Sequence, residues 1–255
     1  SMYTKGSQKV EEVRSHLMRL LPFWLAGSIT AITATFYAKL FAFCEDISTK
    51  IYDKTGYWFL IITPLCFLLS WLLVEKLAPA ANGSGIPQLM AAVELKHKKM
   101  DLFIDKFLSY RIILVKVLSS LIGVIGGGAI GREGPTLQIS GSIFHLLDKK
   151  WKYSDSKERH SFLLAGAAAG LASAFNTPLG GIVYAIEELA KSHLSTFRTG
   201  VVHAVIFAGI IAQLILGPYL YFGYPKIPTF EYSMLWQFSL LAIVSAIVVT
   251  LFALS

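Results

Sequence analysis

A chain of 255 residues with 55% hydrophobic residues and a mean hydropathy of +0.59 is too apolar for an ordinary globular domain. The formal charge of +7 raises nucleic acid as a partner. Most of the 23 Lys and Arg, however, fall in alternate loops between apolar stretches, a distribution that membrane topology explains and nucleic acid does not.

Six stretches predict membrane-crossing helices: Leu20 to Cys44, Trp58 to Glu75, Ile112 to Gly131, Phe162 to Leu189, Val201 to Tyr224 and Leu235 to Leu254. None alternates in the manner of a barrel strand, so the architecture is all-α and polytopic. No charged segment, short apolar core and small-residue cleavage site open the chain, so no removable signal peptide is predicted. Basic residues collect in the N-terminal segment (Lys5, Lys9, Arg14, Arg19), at Lys76, in the 96–111 and 149–159 loops, and at Lys191 and Arg198. Lys50, Lys54 and Lys226 lie in the opposite loops. By the positive-inside rule the N-terminus is cytoplasmic. Cys44 and Cys66 have no metal-like spacing and read as packing residues.

Three breaks interrupt the apolar pattern. Pro79-Ala-Ala-Asn-Gly-Ser-Gly-Ile-Pro87 precedes a short apolar piece too brief to cross, which predicts a re-entrant element. Gly126-Gly-Gly-Ala-Ile-Gly-Arg-Glu-Gly-Pro135 separates the span beginning at Ile112 from a helix around Thr136 to Leu147. At Asn176-Thr-Pro178, Thr177 caps and Pro178 starts a helix ending near Glu188. Broken helices at membrane depth are tolerated where they line a cavity or pack inside protein, so the breaks point to a transport site. Gly166-Ala-Ala-Ala-Gly170 is a small-residue face that lets helices approach closely.

A Gly-rich turn directly before a helix presents unpaired N–H groups and the positive end of the helix dipole, which together attract anions. In Gly83-Ser84-Gly85-Ile86-Pro87 the glycines permit close backbone approach, Ser84 adds a hydroxyl donor, and Pro87 starts the helix without losing a donor; the plainer role for Ser84 is an ordinary N-cap. Binding by neutral dipoles is modest, as transport requires. In Gly131-Arg132-Glu133-Gly134-Pro135 a carboxylate stands where an anion would bind, so Glu133 occupies the site when ionised and vacates it when protonated. Two further matches are accidental. Gly126-Gly127-Gly128-Ala129-Ile130-Gly131 fits a dinucleotide fingerprint but closes an apolar span, and Asn82-Gly83-Ser84 fits a glycosylation sequon at a site that would be buried. No Walker loop, zinc-protease motif or Ser/His/Asp set suggests an enzyme; an intramembrane protease using Ser84 would need a nearby base, and only His145 and His203 lie near apolar helices.

The motifs GSGIP at 83–87, GREGP at 131–135 and GAAAGLASAFNTPLGGIVYAIEEL at 166–189, in this order, resemble the CLC chloride channels and transporters over nearly the whole chain. The resemblance implies a CLC-type inverted-repeat fold of which this chain carries the first repeat only: a cytoplasmic segment at 1–19, the first repeat at 20–225, and a connecting loop with the first helix of the second repeat at 226–255. It implies proton-coupled chloride exchange, with a passive chloride channel as the alternative, no cofactor, and chloride and protons as the transported partners. Anion binding falls to Gly83, Ser84, Arg132, Glu133 and Gly134, gating and proton transfer to Glu133 and Glu188, and electrostatic support to Lys116. Channels of the family typically carry an apolar residue at the Glu188 position, which favours the exchanger. A homodimer in a lipid bilayer, with 178–190 and 200–216 at the subunit interface, and a bacterial inner membrane location also follow from the resemblance. So does a requirement for the remaining C-terminal half, since the tyrosine and the second Gly-rich element that complete the family's chloride site are absent.

Overall fold

The computed structural model describes residues 2–95, 101–151, 156–184, 187, 199–217 and 232–254. Among these every regular element is a helix. The chain divides into two units, Ser1–Tyr221 and Phe222–Ser255.

In the first unit, α1 runs unbroken from Met2 to Thr55, well beyond the 20–44 stretch expected to cross. At 1.5 Å per residue it is roughly 80 Å long, more than twice a hydrocarbon core. Hydroxyls along it bond back to carbonyls one turn earlier, as Thr35 does to Ala31 and Thr55 to Ile51, so these polar groups are satisfied without interrupting the helix. α2 (Phe59–Leu77) follows a short 3₁₀ turn and has no buried residue; Leu60, Ile61, Leu65, Leu68, Leu69 and Trp71 on it are exposed, the arrangement expected against lipid. α3 (Ile86–Glu94) is nine residues, too short to span, as a re-entrant element should be. α4 (Asp101–Phe107) leads to α5 (Tyr110–Ile125), which Ser109 caps by accepting the Ile112 N–H.

α6 spans Glu133–Trp151, beginning three residues earlier than the sequence indicated and placing Glu133 in its first turn. α7 (Ser156–Phe175) forms the centre of the core, with Leu163, Leu164, Ala165, Ala167, Ala168, Ala169 and Ala172 essentially inaccessible. Small side chains there let α6 approach: a Cβ on Gly166 would stand 3.0 Å from the Phe144 ring, which in turn packs against Phe162 with centroids 4.8 Å apart. The stretch expected to cross from Phe162 to Leu189 is broken at Asn176, whose φ of +55° ends α7 in the left-handed region before Pro178 opens α8 (Pro178–Tyr184). The end of that helix near Glu188 lies outside the described residues. α9 (Thr199–Leu216) ends before Gly217 and lies along α1, where Trp24 stacks on Phe207 at 5.1 Å; the rest of the stretch expected to reach Tyr224 lies outside the described residues. Cys44 and Cys66 are both free thiols; Cys66 packs beside Gly126.

The second unit contributes α10 (Ser233–Leu254), apolar on every side and with its large side chains exposed. Among the described residues four helical stretches are long and apolar enough to cross a membrane: Leu17–Leu77, Leu102–Ile125, Thr199–Leu216 and Met234–Ala253. The apolar part of α7, Ser161–Phe175, is shorter.

Candidate functional site

α2 terminates at Ala78, and Pro79–Ala81 form a 3₁₀ turn that swings the chain back toward α5. Asn82 then takes extended backbone, and its Oδ1 accepts the Gly83 N–H at 2.8 Å, closing a local turn. Gly85 at φ +94° is the residue that caps α3, a conformation that a side chain would strain. Ser84 is therefore not the N-cap; its Oγ instead accepts the Ile86 N–H at 3.3 Å from one position further back.

Four consecutive carbonyls of this turn receive side-chain donors. Gln138 Nε2 donates to Ala80 at 3.0 Å, Lys116 Nζ to Ala81 at 2.8 Å and Gly83 at 2.6 Å, and Gln88 Nε2 to Asn82 at 2.7 Å. Lys116 is 3% exposed on α5, so its charge is spent on backbone oxygens instead of on solvent. For an anion the consequence is favourable: the partial negative charges of the turn are already engaged, and a cation stands behind it.

The second Gly-rich turn meets the first. Gly134, in the opening turn of α6, lies against Ser84 so closely that a Cβ there would be 2.7 Å from the Ser84 carbonyl oxygen and 3.0 Å from its Cβ. The start of α6, whose first N–H groups have no intrahelical partner, is thus seated on the Ser84 turn. Glu133 is half-buried, and its Oε2 curls over Gly131, 2.7 Å from where a Cβ would sit. Arg132 Nη1 reaches the Ala38 carbonyl on α1 at 3.5 Å. A cavity of about 300 Å³ adjoins the junction, lined in part by Ser70, Asn82, Gly83, Lys116, Ser119 and Pro135.

Gly83, Ser84, Lys116, Arg132, Glu133 and Gly134, singled out in the sequence, therefore converge on one locus. Glu188 lies outside the described residues. Sequence reasoning missed Gln138, Gln88, and the Tyr37 hydroxyl that pairs with Ser120 Oγ at 2.8 Å between α1 and α5. The available signal for Gln138 was a lone amide on the small-residue face of α6 beside Gly134, Gly141 and Ser142, five residues after Glu133.

Apolar helices long enough to cross a membrane, a short α3 and two abutting helix-start turns define a helical integral membrane protein. The chain belongs to the voltage gated chloride channel family, whose model matches residues 66–255. It is 30% identical over 251 residues to an H(+)/Cl(-) exchange transporter ClcA of Citrobacter koseri, covering 94% of this chain and 51% of that protein. It is 31% identical over 228 residues to the ClcA of Vibrio vulnificus, covering 85% and 47%. Among solved structures, a slow cyanobacterial Cl-/H+ antiporter aligns with a TM-score of 0.67 at 24% identity over 89% of this chain and 53% of that one, which establishes the fold. A eukaryotic CLC transporter aligns with a TM-score of 0.67 at 27% identity, over 78% and 38%. The chain spans about half the length of the curated relatives it matches.

Proposed function

We propose that the protein of which this chain forms part exchanges chloride for protons across a membrane. The observation that carries the reading is the seating of Gly134 on Ser84, which joins a neutral helix-start anion site to the helix that begins with Glu133. In this reading the Ser84 hydroxyl and the backbone about Gly83 hold chloride from the inner side, and the amides of Arg132, Glu133 and Gly134 hold it from the outer side. Lys116 raises the local potential for anions while fixing the turn's carbonyls.

Glu133 competes with chloride for the donors at the α6 N-terminus when ionised and withdraws when protonated, so anion occupancy and protonation are linked. Glu188 relays protons to it from the cytoplasmic side. Residues 1–19 form a cytoplasmic segment, 20–225 the first repeat, and 226–255 the entry into a second repeat; the remaining half of the relatives' length completes the pathway. Two such proteins pair as a homodimer in a bacterial inner membrane, with the N-terminus inside. Neither a cofactor nor catalytic chemistry is required, because a bound anion and a mobile carboxylate suffice.

The test is to reconstitute the full-length protein in liposomes and record chloride and pH together. Uphill chloride movement driven by a proton gradient is expected. Chloride that only runs down its own gradient, with no proton counterflow, would replace the exchanger with a passive channel.

A further inference from the structure

Gln138 is inaccessible to solvent, and a primary amide at that depth is costly unless its groups are paired. Its Nε2 uses both hydrogens, one on the Ala80 carbonyl at 3.0 Å and one on the Phe107 carbonyl at 3.1 Å. Among the described residues its buried Oε1 has no hydrogen-bond partner. The same side chain lies against the Cα of Gly85: a Cβ on that glycine would stand 2.7 Å from both Gln138 Cβ and Oε1.

One residue of α6 thus touches three separate pieces of chain. These are the start of the Ser84 turn through Ala80, the end of that turn through Gly85, and the end of α4 through Phe107. Ser84 lies between the first two. An apolar residue of equal size would fill the space but would leave the Ala80 and Phe107 carbonyls without these donors. What an apolar residue would not supply is the pair of donors that aim two carbonyls.

We propose that Gln138 is a positioning residue for anion recognition. By holding both ends of the Ser84 turn against the helix that begins with Glu133, it sets how far the Ser84 donors stand from the α6 N-terminus, and so sets anion affinity and discrimination without touching the ion. The proposal rests on the chloride/proton exchange reading and names what tunes that site. Lys116 grips the same turn from α5, so the turn is held from two sides, and loss of the α6 grip tilts it instead of releasing it.

The experiment uses the full-length protein purified in detergent and reconstituted in liposomes, with Gln138→Met as the isosteric apolar variant. Chloride binding is read by calorimetry, and chloride against nitrate flux by electrode. Gln138→Met is expected to weaken chloride binding about tenfold, the scale of one to two well-placed hydrogen bonds, and to narrow the preference for chloride over nitrate. Adding Ser84→Ala to it should cost less than Ser84→Ala costs alone, because the two act through one site. Wild-type affinity and discrimination in Gln138→Met, whatever its thermal stability, would overturn the proposal. If Gln138→Met does not yield folded protein, Gln138→Asn, which keeps the amide but draws its donors back by one methylene from the Ala80 and Phe107 carbonyls, decides by the same two readings. Unmodified protein that neither binds nor moves chloride would instead remove the transport reading, before any variant is compared.

Discussion

Gly134→Ala tests the junction on which the proposed anion site depends. The added methyl carbon would lie 2.7 Å from the Ser84 carbonyl oxygen and 3.2 Å from the carbonyl carbon, where ordinary contact begins at 3.4 Å. The obstacle is backbone, with no flexible side-chain end to rotate aside, so α6 and the Ser84 turn must separate by several tenths of an ångström. Overpacking of this kind costs about 1 to 3 kcal/mol in stability. A donor drawn off its anion by that distance loses much of a hydrogen bond, roughly tenfold in chloride affinity. Gly131→Ala is the matched control for stability: its methyl meets the Glu133 carboxylate, a flexible side-chain end that can swing away, so thermal unfolding should stay near that of wild type. Calorimetric chloride titration of both purified variants, alongside their thermal unfolding, separates the two costs. Chloride affinity in Gly134→Ala equal to that of wild type would show that the two turns do not share an ion.

Three further substitutions address the chemistry. Glu133→Ala removes the carboxylate that competes with the anion, and liposome flux is expected to become passive and indifferent to pH; flux that still responds to a proton gradient would remove Glu133 from coupling. Ser84→Pro deletes the hydroxyl donor that the proposed site offers to chloride, so the preference for chloride over nitrate should narrow, and unchanged selectivity would place the anion on another turn. Glu188→Val should leave chloride moving while proton flux falls, because in the proposed reading Glu133 loses its internal proton supply; proton pumping equal to wild type would remove Glu188 from proton transfer.

Much of the architecture was legible because its signals are local. Gly and Pro set the breaks before α3, α6 and α8, and the structure places turns at 78–85, 126–132 and 176–177 accordingly. Helix lengths were less legible, since apolar patterning locates what faces lipid or core and is silent where a polar sequence simply continues as helix. α1 extends to Thr55 through Glu45, Asp46 and Lys50 because its hydroxyls bond back along the helix and no Gly or Pro falls between Gly27 and Gly56. Conversely, the apolar run from Phe162 onward is not one helix, because Asn176 adopts positive φ and Pro178 has no N–H to continue the ladder.

The site shows where the limit falls. Ser84 and Glu133 are visible in sequence because each sits in a turn whose glycines advertise an unusual backbone. That Gly134 meets Ser84 is a contact between residues 50 positions apart in the chain, and no pattern within either motif specifies it. The carbonyl ties are hidden for the same reason: Lys116 reads as a lone buried charge and Gln138 as a stray amide until the turn at 80–83 is seen to need donors from outside itself. A turn that offers its N–H groups to an anion must direct its carbonyls elsewhere, and in a membrane interior no water is at hand to satisfy them. Such a turn therefore implies buried polar side chains on the neighbouring helices. Lys116 on α5 and Gln138 on α6 meet that requirement, and their burial follows from the exposure of the turn they serve.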